Sequence, residues 1–85
     1  MLGEPPGAHA DPASDQSAYL HDLRNDGVVP DSQATQAALI QLGYTTCKAR
    51  AHAMTDSEIV ASITGGSVAP DKAKWIVIDA GMNLC

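Results

Sequence analysis

Two cysteines constrain this chain more than any other residues. Cys47 falls inside a long helical pattern and Cys85 ends the sequence 38 positions later, so neither belongs to the C-x-x-C spacing of a redox or zinc motif. The pair fits a structural bridge. Closing a loop of that size restricts the unfolded chain by about 4 kcal/mol in the entropy model, a large share of what a small domain possesses. It would also hold the last turn of the final helix against an earlier one. Two reduced, buried thiols and an intermolecular bridge compete with this reading, and both weaken if the chain is exported.

A staple matters because the core is thin. The 85 residues leave room for one domain, and so short a chain removes a smaller share of its surface from water than a larger one. The apolar fraction is 45%, but much of it is alanine, phenylalanine is absent, and the aromatics are Tyr19, Tyr44 and Trp75. Alanine buries little area, and burial at roughly 25 cal/mol per Å² then gives a modest sum against chain entropy. The net charge of -5 repels phosphate backbones and anionic surfaces, which argues against nucleic acid as a partner. No apolar run approaches the roughly 18 residues that cross a bilayer.

The first residues resemble the remains of an export signal. Ala8-His9-Ala10 followed by Asp11-Pro12 places small residues where a signal peptidase inspects them, after the Pro-rich Glu4-Pro5-Pro6-Gly7. Cleavage would fall after Ala10, and Met1 is read as a start placed within a trimmed precursor. A Pro/Gly tail that contains A-x-A by chance is the plainer alternative. On either reading residues 1 to 13 are expected to lack fixed structure, and 14 to 85 to form a single helical domain.

Four helical segments follow. Ser14 or Asp15 can cap a first helix running to about Asn25, with Tyr19, Leu20 and Leu23 on one side and Gly27 ending it. Val28-Val29-Pro30 reads as a linker, and Asp31 or Ser32 caps the next segment. From Gln33 to about His52, residues Thr35, Ala38, Leu39, Leu42, Thr46, Cys47 and Ala49 form a narrow stripe of mostly small side chains. Gly43 inside it costs about 1 kcal/mol against alanine, so a neighbouring backbone passes close there or the helix bends; close packing is favoured.

Thr55-Asp56-Ser57-Glu58 matches the capping box ahead of Ile59, Val60 and Ile63, and the third helix ends at Gly65-Gly66. Pro70 suits the first position of the fourth helix and Asp71 its positive end. Ala73, Val77, Ala80 and Leu84 make one stripe there, Ile76 widens it, and Trp75, Ile78 and Met82 form a second flank. A strand through Trp75-Ile76-Val77-Ile78 is the alternative, but no second strand exists to pair with it.

The pattern Tyr19-Leu20-x-x-Leu23 with Gly27, Leu42-Gly43-x-x-x-Cys47, Pro70-x-x-Ala73-x-x-Ile76-Val77 and terminal Leu84-Cys85 resembles a small exported mycobacterial two-cysteine helical family with no assigned activity. The resemblance covers residues 15 to 85 through many weak positions. It implies a preceding signal peptide, pairing of these two cysteines and, since members usually continue with a proline, a truncated end at Cys85. It supplies no catalytic residue.

No constellation of reactive side chains stands out. Cys47 with His21 or His52 could form a thiol and imidazole pair, but a bridged cysteine cannot act as a nucleophile. His9, His21, Asp22 and His52 offer imidazole and carboxylate ligands without an i, i+4 His pair or H-E-x-x-H. Asp22, Asp26 and Asp31 lack the alternating ligands and final glutamate of a calcium loop, and read as helix ends. Trp75, Ile78 and Met82 either fill the core, the favoured reading, or form an exposed anchor for a partner. Asp79 beside them must reach solvent or a partner, so one side of this helix is expected to be open.

The expectation is therefore an all-α bundle of about four helices with one disulfide, exported, non-enzymatic and free of cofactor or metal. Its function would be that of an envelope or extracellular interaction module, with Trp75, Ile78, Asp79 and Met82 as the candidate surface. The alternative is a carrier whose second and fourth helices part near Gly43 to admit a small apolar ligand. An enzyme would need a cleft with a perturbed acid or thiol and is the last choice.

Overall fold

The computed structural model describes residues 11–65 and 68–85, which form four helices, α1 (Pro12–Asn25), α2 (Gln33–Ala51), α3 (Asp56–Thr64) and α4 (Pro70–Asn83), with no strand among the described residues. The segment Trp75-Ile76-Val77-Ile78 is helical throughout. The expected export signal at residues 1 to 10 lies outside the described residues, as do Gly66 and Ser67 in the loop before α4.

Each helix starts and stops for a local reason. The first begins earlier than expected: the Asp11 carboxylate accepts the Ser14 N–H at 3.3 Å, and Pro12 takes the first helical position. Asp-Pro is a start signal in its own right, because proline's missing N–H would be unpaired there anyway. Pro12 and Ala13 thus belong to the helix and Asp11 caps it, where a tail was expected.

At the other end of α1, Gly27 adopts φ +88°, its N–H reaches the Arg24 carbonyl at 3.1 Å and the Val28 N–H reaches Leu23 at 2.8 Å. This double closure folds Val28 back beneath Leu23, so Val28 is buried in the core rather than part of a solvated linker. The same closure ends α2, where Met54 N–H reaches the Ala49 carbonyl at 3.1 Å and Ala53 takes the positive φ of 63°.

Ser32 caps α2 by accepting the Thr35 N–H at 3.1 Å, and the Thr35 hydroxyl donates to Asp31 at 2.8 Å. That network keeps Thr35 at the surface, and Ala38 is exposed as well, so the buried stripe of α2 narrows to Leu39, Gly43 and Thr46, flanked by half-buried Leu42, Cys47 and Ala49. The capping box of α3 is complete: Thr55 N–H donates to Glu58 Oε1 at 2.8 Å and Glu58 N–H to Thr55 Oγ1 at 3.2 Å. The Thr55 backbone N–H first, and its hydroxyl second, favour the ionised form and hold the Glu58 carboxyl below its ordinary range.

Helix α4 is the hub. It packs on each of the other three, whereas α1 and α3 do not meet. Its stripe of Ala73, Ile76, Val77, Ala80 and the following Leu84 is buried against Tyr19, Leu23, Leu39, Ile59 and Ile63. Tyr19 carries the largest fully buried side chain and satisfies its hydroxyl by donating to the Leu39 carbonyl at 2.6 Å. Thr46, also fully buried, donates to Leu42 at 3.0 Å.

Candidate functional site

Cys47 and Cys85 are disulfide-bonded, with Cα atoms 5.3 Å apart, and no free cysteine is present. The bond ties α2 to the chain end beyond α4. Just above it, Gly43 lets the side chains of Tyr19 and Leu84 enter the seam: a β-carbon there would meet Tyr19 Cζ at 2.9 Å and the Leu84 methyl still closer. The expected close approach is real, but side chains make it rather than a backbone. The seam that a ligand carrier would open near Gly43 is filled by these two side chains.

The candidate surface on α4 divides. Met82 is 70% exposed and Ile78 36%, so neither fills the core, while Trp75 is half-buried and packed against it. Residues 75, 78 and 82 follow i, i+3, i+7 spacing and form one ridge along the helix. Lys74 lies over the Trp75 ring, 5.0 Å from its centroid. Asp79 does not belong to this surface. It is only 2% exposed and turns toward α1, so the open side of the helix is that of Ile78 and Met82.

Beside the ridge an open groove of about 450 Å³ separates α3 from α4. Helix α3 contributes Val60, Asp56 and Ser57; helix α4 contributes Val77, Ile78, Lys74 and Pro70. Its interior is apolar, with one acidic and one basic group at its margins. Arg50 closes the neighbouring corner: its guanidinium pairs with Asp56 at 3.1 Å, donates to the Val77 carbonyl at 3.4 Å and lies over Gly81, where a β-carbon would meet it at 2.8 Å. Sequence reasoning passed over Arg50 and Gly81. A glycine within an otherwise good helix was their one visible signal.

A second cluster also went unread. Asp22 in the last turn of α1 and Asp26, its C-cap four residues on, face Asp79 and Asn83, four apart on α4. Asn83 Nδ2 donates to Asp22 at 2.9 Å and to the Asp79 carbonyl at 2.9 Å. The Asp26 side chain lies within reach of Asp79, a contact that becomes a hydrogen bond only when one of the two carboxyl groups carries a proton. Burial first, then that hydrogen bond and the charges of Asp26 and Asp22, push the Asp79 carboxyl up to about 7. Burial and, secondarily, the charge of Asp79 raise the Tyr19 phenol too. The signal in the sequence was the i, i+4 acidic pair sharing a face with Tyr19, a repulsive arrangement that ordinary helix surfaces avoid.

The other candidates are dispersed. His21 is exposed on α1 and His52 is exposed at the end of α2; Asp31 turns to Thr35, away from Asp22 and Asp26. Among the described residues no three His, Cys, Asp or Glu side chains are placed to hold a metal ion. No helix among them is long and apolar enough to cross a membrane.

A family model described as protein of unknown function, DUF732, matches residues 14–85. The chain belongs to the DUF732 family. The match spans all four helices, apart from the first two residues of α1, and both cysteines of the bridge. No curated protein and no solved structure matches the chain, so DUF732 membership assigns the chain to a family without assigning an activity.

Proposed function

We propose that this DUF732 chain is a non-enzymatic interaction module of the cell envelope or extracellular space, binding a protein partner along the outer face of α4. One observation carries the reading. The helix on which every other element packs leaves Ile78 and Met82 in water, contiguous with the apolar groove against α3, and such ridges beside grooves are where partner side chains lodge. The margins Lys74 and Asp56 suit a partner that presents apolar side chains flanked by charges of both signs. Export is supported by the disulfide, a bond that persists in oxidising compartments, and by the A-x-A motif at Ala8 to Ala10.

A photo-crosslinking amino acid placed at position 82, and at exposed Ser17 as a control, tests the surface in envelope and culture-fluid fractions of the source cells. A discrete adduct from position 82 that is lost when Ile78→Ser is added supports it. Equal labelling from both positions overturns it. The same fractions decide export, because recovery of the chain in the cytoplasm with both thiols free removes that half of the reading.

In the competing reading, a carrier of a small apolar ligand would have to use this α3–α4 groove and not the filled seam between α2 and α4 near Gly43, and the groove's volume of about 450 Å³ is within the usual range for small-molecule sites. Titration with an anilinonaphthalene sulfonate probe separates the two. Saturable fluorescence that Val60→Ser and Ile78→Ser abolish favours a carrier, and its absence leaves the protein surface.

A further inference from the structure

We propose that Asp79 and Asp26 share a proton that locks the end of α1 onto α4, so that the domain tightens in acid and loosens as that proton leaves. The geometry permits little else. Two carboxyl groups form a hydrogen bond to one another when one of them carries a hydrogen, and Asp79 is 2% exposed with its Oδ2 receiving no donor among the described residues.

The nearby neutral donors are already committed. Asn83 has two amide hydrogens, and they go to Asp22 and to the Asp79 backbone carbonyl. Tyr19 gives its hydrogen to Leu39. A buried carboxylate left without a donor or a cation is costly, so retaining the proton is the cheaper arrangement.

Among the described residues no cation is brought to this side. From α1 the groups facing Asp79 are Tyr19, Asp22 and Asp26, and the carbonyl end of that helix adds negative potential. His21 and Arg24, the basic residues near the end of α1, are exposed. From α2, Arg50 reaches α4 at Val77 and Gly81, two positions either side of Asp79 and therefore on the opposite face. From α3, Asp56 is engaged with that same Arg50.

The direction follows from linkage. Asp79 holds its proton up to about 7 in the folded chain, whereas an unfolded aspartate releases it near 4. The folded state therefore carries one more proton between those values. Its stabilisation is complete below the unfolded value, declines as pH rises toward 7 and levels off above it. One proton corresponds to a folding equilibrium that weakens by up to about tenfold per pH unit in that window. The segment released is the closing turn of α1, from Asp22 through Gly27 to Val28.

The test is the carboxyl carbon resonance of Asp79 in the intact protein from pH 4 to 9, with thermal unfolding of wild type, Asp79→Asn and Asp26→Asn across the same range. A carboxyl midpoint near 7 is expected, with the amides of residues 22–28 and 79–83 moving at the same midpoint. Asp79→Asn donates to Asp26 without a titrating proton, so its unfolding temperature should gain on wild type as pH rises. Asp26→Asn should lower the Asp79 midpoint. A midpoint below 5.5, or a stability difference between wild type and Asp79→Asn that is constant with pH, overturns the proposal. So does calcium at millimolar concentration raising wild-type stability at pH 8, since a metal would then occupy the place given to the proton. The resonance measurement stands even where a variant fails to fold.

Discussion

Around Gly43 the seam of helix α4 with α1 and α2 is filled by side chains, whereas beyond the buried contacts of Ile59 and Ile63 an open groove runs between α4 and α3. On that filled side Tyr19 and Leu84 occupy the space over Gly43, and the Cys47–Cys85 bond ties α2, the helix of Gly43, to the chain end. Even the acid there, Asp79, is taken out of water. On the open side the charged pair keeps counter-charge and partial contact with water: Arg50 is about one-third exposed, its Nε alone buried without a hydrogen-bond partner among the described residues, and it pairs with Asp56, itself 63% exposed. One helix thus accommodates polar side chains in two ways. Where water is excluded a proton neutralises the charge, and where water remains an ion pair of small net worth suffices.

The comparison is broken most directly at the disulfide. Reduction, or the double change Cys47→Ala and Cys85→Ala, should cost about 4 kcal/mol, read by urea unfolding. Equal stability of the reduced chain would mean that packing alone seals the seam. Gly43→Ala comes next. Tyr19 and Leu84 must both move, and overpacking of about 2 kcal/mol is expected after the helical gain of alanine. A neutral result would show the seam to be looser than its geometry.

Effects on the α3 side should be smaller. Thr55→Ala removes half of the capping box and should cost about 1 kcal/mol, with faster amide exchange confined to α3 and the groove. Gly81→Ala should change stability by about 0.5 kcal/mol or less, because the guanidinium it displaces can swing into water while the helix gains from losing a glycine. Measured together, Gly43→Ala and Gly81→Ala are the sharpest contrast available: the same substitution in helices of one bundle, against an immobile side and a yielding one. Comparable losses at both positions would erase the distinction.

Local signals in this chain were strong and largely legible. Ser32, the Thr55 box and Pro70 mark their helices because capping acts over three or four residues. The stripe Ala73, Val77, Ala80, Leu84 is buried as its spacing implies. Asp11-Pro12 was equally local, yet a peptidase motif and a helix start use the same residues, and composition does not separate them. Val28 could be read as linker because its burial depends on the positive φ of Gly27, which turns the chain back on itself.

The sequence by itself determined four helices, the caps of the second and third, and a pair of cysteines with no other evident use, since these depend on neighbours along the chain and on cysteine count. Tertiary structure alone decided which face of α4 stays wet. It also set Asp79 against Asp26, 53 positions apart along the chain, and placed Arg50 over Gly81. Charge and burial are properties of what surrounds a group in space, and an aspartate is written the same way whether water, an arginine or another carboxyl lies beside it.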